Sequence, residues 1–293
     1  MLGLVSCGDM REELKELWRF RELLFTMVQR DLRIRYKNSV LGFFWSLLNP
    51  LITVIVMTLV FKSFLGNNTP NYSAYILASY LPYMFFQLCL LDSAQSILTN
   101  LPIIRKIYLP REVFPISSVI SNFVHQCLAL VVFFLYLLVV YAFDRRVFPL
   151  QAGAVLLPVL LLINLMLTMG LSFIVSALNT FYEDVKYIVS VLLYLMFFLC
   201  PIMYFSEAVY QKSMEKGGTM LYTLYHLNPV AMLSVAYRKL LLAPQPVEFR
   251  GKTYDPLPLD WGLLGVTALT SFLLLVGGYA LFNRLKWRFV ERP

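Results

Sequence analysis

The chain has 293 residues, 59% of them hydrophobic and only 14% charged, with a mean hydropathy of +0.69. Soluble globular domains run about 45–50% apolar and about 25% charged, so a soluble fold is excluded and an all-α polytopic membrane protein is expected. A formal charge of +8 does not call for nucleic acid, because the basic residues cluster beside apolar runs, where they set orientation and meet anionic membrane lipids.

The first segment, 1–39, is expected to be a cytoplasmic amphipathic interface segment. Its opening Leu4-Val5-Ser6-Cys7 imitates a lipoprotein cleavage box, yet no basic residue precedes it and no apolar region of about 7–15 residues supports it. Over 12–35, Leu17, Trp18, Leu24, Phe25, Val28 and Leu32 fall at helical spacings, with Arg19, Arg30, Arg33 and Arg35 elsewhere around the cylinder. Such a helix either lies in the headgroup plane, as Trp18 and the arginines favour, or packs beneath the membrane domain.

The basic stretch Arg30 to Lys37 runs without a gap into an apolar run beginning near Val40. Charge on this scale does not readily cross a bilayer, so the basic half stays cytoplasmic while the apolar half enters the hydrocarbon. Arg30, Arg33, Arg35 and Lys37 stand where a phosphate-bearing lipid would arrive. They are candidates for binding its headgroup, or else simple topology signals.

A spanning helix needs about 20 largely apolar residues. Six stretches qualify: 40–62, 73–98, 114–142, 152–179, 185–204 and 261–283. With the amino terminus inside, the basic residues near the spans divide sixteen inside to three outside (Lys62, Arg145 and Arg146), the long 205–260 loop counting weakly. Both termini are therefore assigned to the cytoplasm, with 284–293 as an internal tail. Asp92 is the least expected residue within a span, because an intramembrane carboxylate needs water, a cation or another helix. It marks a pathway or gate, or it serves helix packing. His125 and Asn164 read as satisfied interhelical polar residues.

Between the second and third spans, prolines at 102, 110 and 115 bracket a segment predicted to form one short helix, about 102–113. It is basic at Arg105, Lys106 and Arg111, carries Ile103, Ile107 and Tyr108, and is suited to sit in a cleft of another protein as a lever. In the next cytoplasmic turn, Glu183 and Asp184 either accept basic groups of a partner or cap the fifth span.

The segment 205–260 is read as external. Its part from Met220 to Leu242 is interrupted by Asn228-Pro229, so two short helices are expected, either re-entrant in the outer leaflet or forming a small cap. Tyr204, Phe205, Tyr222 and Tyr225 belong to an aromatic belt or offer faces to sugars along an exit path. Gly251-Lys252-Thr253 looks like the end of a phosphate-binding loop, but Pro246 stands where that loop requires glycine. The four cysteines show no metal-ligand or disulfide spacing, and no metal or cofactor is expected in this chain.

Five blocks in order carry a resemblance. The junction Arg30-Asp31-Leu32-Arg33-Ile34-Arg35-Tyr36-Lys37, continuing through Leu41-Gly42, Trp45 and Pro50-Leu51, resembles "RDLxxRYKxSxLGxxWxxxxPL". Asn100 to Pro115 resembles "NxxLIRKxYFPRExxP", and Phe181 to Tyr187 partly resembles "FRDVxY". Cys200-Pro201-Ile202-Met203-Tyr204 resembles "SPVxY", and Asn228-Pro229 through Arg238 resembles "NPxxxxxxxxR". These patterns are those of membrane subunits of bacterial ABC-2 type polysaccharide exporters, the permeases of O-antigen, teichoic acid and capsule transport. The resemblance implies a six-helix transmembrane domain over 40–283 in the inner membrane. It implies two copies forming a pore, driven by two separate ABC ATPase subunits that hold ATP and Mg. It also implies a lipid-linked polysaccharide or polyol-phosphate polymer as cargo, and makes 102–113 and Glu183-Asp184 the ATPase-coupling elements. Another ABC-2 exporter of lipids or drugs, or a membrane-embedded glycosyltransferase, is the alternative.

Overall fold

The computed structural model describes residues 12, 15–36, 43–64, 69–106, 108–143, 150–215, 217–249 and 251–290. Lys37 and Ile107, both named above as site candidates, lie outside the described residues. The architecture is all-α apart from one small hairpin.

After a helical stretch at 15–19 and a turn at Phe20, α1 (Arg21–Tyr36) packs on α5 (Val113–Phe143) and buries Met27 and Val28. Trp18, Phe25 and Ile34 stay exposed, so the helix has one apolar side against the protein and another free. Then come α2 (Phe43–Ser63), α3 (Tyr72–Thr99) and a single turn, α4 (Leu101–Ile104).

Four helical segments are long and apolar enough to cross a bilayer among the described residues: Tyr72–Thr99, Val113–Ala142, Ala152–Phe181 and Trp261–Phe289. They coincide with the second, third, fourth and last predicted spans. The apolar stretches Leu48–Ser63 and Val185–Leu199 are shorter. The expected fifth span, 185–204, ends early as α7 (Val185–Leu199), because Pro201 cannot continue the hydrogen-bond ladder. At about 1.5 Å per residue, its 15 residues fall short of a hydrocarbon layer of about 30 Å.

α3 is the central element, packed against α2, α5, α6 (Leu157–Phe181) and α7. Two asparagines of α6 bond to its backbone: Asn179 Nδ2 donates to the Ala94 carbonyl at 2.7 Å and Asn164 Nδ2 to the Pro82 carbonyl at 3.4 Å. Asn164 is thus an interhelical polar residue, as expected.

α6 also crosses α11 (Trp261–Lys286) in a backbone-to-backbone approach. A Cβ on Gly278 would stand 2.2 Å from the Gly170 carbonyl oxygen, and one on Gly170 would stand 2.5 Å from the Leu274 carbonyl. Glycine is required at both positions, and dispersion contacts over this close crossing replace the hydrophobic drive that lipid removes. Outward-facing Ile55, Leu59, Leu135, Leu138, Leu269 and Phe272 are exposed, as a lipid-facing surface requires.

The segment after α7 folds into α8 (Ser206–Glu215), α9 (Met220–His226) and α10 (Pro229–Leu241). The predicted break is present: Pro229 opens α10 and the Asn228 side chain accepts from the Val230 N–H. Val247–Phe249 (β1) and Lys252–Tyr254 (β2) form an antiparallel hairpin turned at Gly251, whose φ is +72°. Gly251-Lys252-Thr253 therefore lies in a strand–turn–strand unit, without the helix a phosphate loop needs.

Candidate functional site

Two of the predicted headgroup arginines, Arg30 and Arg35, reach from the last two turns of α1 to α3 and α5. Arg35 donates through Nη2 to Asp92 Oδ2 at 2.7 Å and through Nη1 to Asn122 Oδ1 at 2.8 Å, while Asn122 Nδ2 donates to the same Asp92 oxygen at 2.9 Å. Arg30 donates to Asp31 Oδ1 at 2.8 Å and to Asn100 Oδ1 at 2.8 Å. Arg30, Asp31, Arg35, Asp92 and Asn100, with Gln95, Ser96, Thr99, Ser117, Ser118 and Ser121, line a polar cleft of about 310 Å³. Arg33 is exposed and makes no hydrogen bond or ion pair with the described residues.

This arrangement changes two expectations. Arg30 and Arg35 are not free cations awaiting a headgroup, because Asp31, Asn100, Asp92 and Asn122 already engage them. Asp92, offered as a glycan-path position or a helix-packing residue, is the counter-ion of Arg35. With side chains 29% and 42% exposed, the pair is screened by water and contributes at most about 1 kcal/mol. Its effect is to fix where α1 sits. The polar stripe Ser118, Ser121, Asn122 and His125 on α5 has helical spacing, so its side of the cleft was discoverable from the sequence.

Directly after this same end of α3, the expected helix over 102–113 is reduced to the single turn Leu101–Ile104. Pro102 can start a helix, but Pro110 disfavours helical backbone at Leu109. Ile104 and Leu109 are buried, Ile103 is half-buried, and Arg105, Lys106 and Tyr108 are exposed. The Tyr108 hydroxyl donates to Glu16 Oε1 at 3.1 Å. Glu112, expected to couple to a partner, is buried and paired with Lys286 at 2.5 Å. The Arg111 guanidinium lies over the Phe289 ring.

Phe289 also meets Phe181, at 5.7 Å between ring centroids, so the turn after α3 and the turn after α6 both rest on the end of the last helical segment. Glu183 and Asp184 are exposed, and neither caps α7 with its side chain: Asn179 Oδ1 accepts from the Lys186 N–H at 2.9 Å instead.

The four aromatic path candidates do not share one surface. Phe205 and Tyr222 are buried. Phe205 packs on Tyr72 and Tyr75, and Tyr222 stacks on His226 with ring centroids 4.0 Å apart. Tyr204 and Tyr225 are half-buried, and both donate their hydroxyls to the Leu199 carbonyl.

Beside them lies a charged cluster around Arg238, the last residue of the Asn-Pro motif, whose partners Glu207 and Lys239 the sequence did not single out. Arg238, 2% exposed, donates to the Pro201 carbonyl at 3.1 Å and Ser206 Oγ at 3.0 Å, and its guanidinium lies 3.8 Å from the Tyr75 ring centroid. Glu207 stands 3.9 Å from Arg238 and 3.5 Å from Lys239. Burial alone would raise the Glu207 carboxyl, but the two cations more than reverse this and hold it below its ordinary value. Burial pushes the Lys239 ammonium below its own.

The sequence profile of the ABC-2 type transporter family matches residues 22–242. The chain is 29% identical over 270 residues to an O-antigen export system permease protein RfbA of Klebsiella pneumoniae, covering 92% of this chain and 94% of that protein. It is 30% identical over 277 residues to the protein of the same description from Myxococcus xanthus, covering 94% and 97%.

Proposed function

The chain belongs to the ABC-2 type transporter family, and on that premise we propose that it is the channel-forming permease subunit of an ATP-driven exporter of lipid-linked polysaccharide or a polyol-phosphate polymer. The observation that carries this reading is likeness along nearly the whole length of O-antigen export permeases. Two copies line the path and two ABC ATPase subunits supply ATP hydrolysis with Mg. The chain itself acts as a transport subunit rather than an enzyme, in the bacterial inner membrane with both termini cytoplasmic.

In this reading six segments cross, with α2 and α7 completing the bilayer layer in the dimer. α7 supports that role: Ile188, Val191, Leu192, Tyr194, Leu195 and Phe198 are exposed and only Val189 and Leu193 are buried, so it has apolar surface for both lipid and a second copy. Arg33, exposed on α1 between Arg30 and Arg35 in the sequence, is the side chain most available to take the phosphate of an arriving lipid carrier. Arginine suits it, because its fork pairs with two phosphate oxygens at once. The exposed Arg105, Lys106 and Tyr108, with Glu183 and Asp184, face the ATPase.

The test is complementation. In a strain whose own O-antigen permease gene is deleted, this chain supplied with its ATPase should restore polymer at the cell surface, and without the ATPase should not. Unrestored polymer together with ATP-dependent export of a lipid or drug from reconstituted vesicles would replace this reading with the lipid and drug branch of the family.

A further inference from the structure

A cleft of about 530 Å³ opens under the hairpin, within the range of about 300–1,000 Å³ typical of small-ligand sites. Gln151, Glu207, Arg238 and Lys239 belong to the polar part of its lining, and Trp261, Pro244, Pro256 and Pro258 to the apolar part. We propose that it binds one neutral pyranose unit, an uncharged sugar ring. The proposal deepens the export reading and rests on it for the source of the sugar, polymer emerging on the outer side.

The charge balance disfavours an ion. Arg238 and Lys239 stand 3.9 and 3.5 Å from Glu207, and Asp260 adds a second carboxylate whose field reaches Lys239. Two cations thus meet two carboxylates, so a charged ligand would leave one charge uncompensated. A zwitterion would compete with ion pairs already made within the protein. Hydroxyl groups need displace none of them.

What the cluster retains is capacity for both donating and accepting hydrogen bonds. The Lys239 ammonium carries three N–H donors and has two partners, the Pro258 carbonyl at 3.3 Å and Glu207 Oε1 at 3.5 Å, both beyond the usual hydrogen-bond length. Glu207 Oε2 accepts from Ser206 Oγ at 3.0 Å and from the Tyr75 hydroxyl at 3.3 Å, while Oε1 keeps capacity to accept. In the amide orientation that pairs donors with acceptors, Gln151 Nε2 donates to the Lys239 and Leu242 carbonyls at 2.9 and 3.1 Å, which leaves its oxygen as a second acceptor. One donor with two acceptors suits hydroxyls, each of which donates and accepts at once.

The apolar lining suits the rest of the ring. A pyranose carries C–H groups on its faces and hydroxyls around its edge. Trp261, 58% exposed, offers an aromatic face to those C–H groups, and the three prolines add apolar surface. A wholly apolar ligand would instead desolvate Lys239 and Glu207 without giving them a partner.

The cleft is also built before any ligand arrives. Leu150 bridges Leu242, and the Gln151 N–H donates to the Leu241 carbonyl at 3.1 Å. A Cβ on Gly153 would come within 3.0 Å of the Leu240 carbonyl oxygen, so this wall is closed by backbone. The hairpin side is tied to the start of α3: Gln245 Nε2 donates to the Pro70 carbonyl at 2.8 Å and the Glu248 N–H to Thr69 Oγ1 at 3.1 Å. Pre-organisation of this kind lowers the ordering cost of binding.

The test is saturation-transfer NMR on the full chain in phosphatidylcholine nanodiscs, titrated with glucose, galactose, mannose and N-acetylglucosamine, and with glucuronic acid and glucosamine as charged controls. At least one neutral sugar should bind saturably, about tenfold or more tightly than either charged one. Trp261→Ala should weaken that binding about tenfold, whereas Trp261→Phe, which keeps a flat ring, should retain most of it. No saturable binding of any neutral sugar, a charged sugar bound as tightly, unchanged binding in Trp261→Ala, or equal loss in both variants overturns the proposal. A zwitterionic lipid headgroup as the true occupant would appear as sugar binding suppressed when phosphatidylethanolamine replaces phosphatidylcholine, which also overturns it. Surface polymer in the complemented strain separates the two readings: restored polymer with no sugar binding removes only the cleft proposal, whereas sugar binding without any polymer export removes only the export reading.

Discussion

Glu112 Oε1 lies 2.5 Å from Lys286 Nζ across 174 positions of sequence, and both side chains are buried. This pair fastens the start of α5 to the end of α11, directly behind the exposed segment that carries Arg105, Lys106 and Tyr108. The pair and the Gly170–Gly278 crossing thus form a continuous line of close contacts from α5 through α11 to α6.

Removing one partner leaves the other charge buried. Glu112→Ala should destabilise the protein by about 3–5 kcal/mol, read as a lower thermal midpoint in detergent. The double variant Glu112→Ala with Lys286→Met should recover much of that loss. A double variant as unstable as the single would show that the pair is not the source of the effect.

Tyr108 is 77% exposed and touches the rest of the chain only through Glu16 in hydrogen bonding. Tyr108→Asp should therefore insert and fold normally while copurifying poorly with the ATPase subunit. Unchanged copurification and unchanged export would remove this segment from the docking surface.

Arg33 and Arg35, two positions apart, should behave differently. Arg33→Gln should lower substrate-stimulated ATP hydrolysis in the reconstituted complex and leave both basal hydrolysis and thermal stability unchanged. Arg35→Gln leaves Asp92 and Asn122 without their cation, so it should lower the thermal midpoint slightly, by the equivalent of up to about 1 kcal/mol. Identical behaviour of the two variants would mean that the internal contacts of Arg35 are immaterial.

Gly278→Val should prevent accumulation of folded protein, because its Cβ would stand 2.2 Å from the Gly170 carbonyl oxygen and overpacking commonly costs about 1–3 kcal/mol even where side chains can shift. Gly277→Val, with nothing near its Cβ position, is the control and should accumulate normally. Fluorescence-detected size exclusion of the two variants decides it.

Single cysteines should report the orientation. One placed beside Asn228 should label from outside the cell, and Arg105→Cys only from within. Internal labelling beside Asn228 would reverse the assignment of the 205–260 segment.

Much of the scaffold was legible because its causes are local. Apolar length marked the helices at 72–99, 113–142 and 261–286, and Pro229 after a capping Asn228 marked the break between α9 and α10. The helices that end earlier than expected have a similarly local cause: Pro201 stops α7 at Leu199, and Pro110 disfavours helical backbone at Leu109. Misplaced site residues had another cause. Phe205 and Tyr222 are aromatic at an expected boundary, but residue type does not reveal which side of a short helix meets the core.

The sequence by itself determined that the chain is an all-α membrane protein, where most of its long helices lie, and which family its ordered motifs resemble, since these depend on hydropathy and on neighbouring residues. Only the tertiary structure decided which polar groups meet. Asp92 finds Arg35, Glu112 finds Lys286, and Glu207 finds Arg238 and Lys239. The first two pairings join distant helices, and all three depend on the relative rotation of packed elements about their axes, a choice made by close contacts such as Gly170 on Gly278 and Gly153 on Leu240. Those choices engage Arg30 and Arg35 at a part-exposed cleft and Lys286 in the interior, and they leave Arg33 exposed.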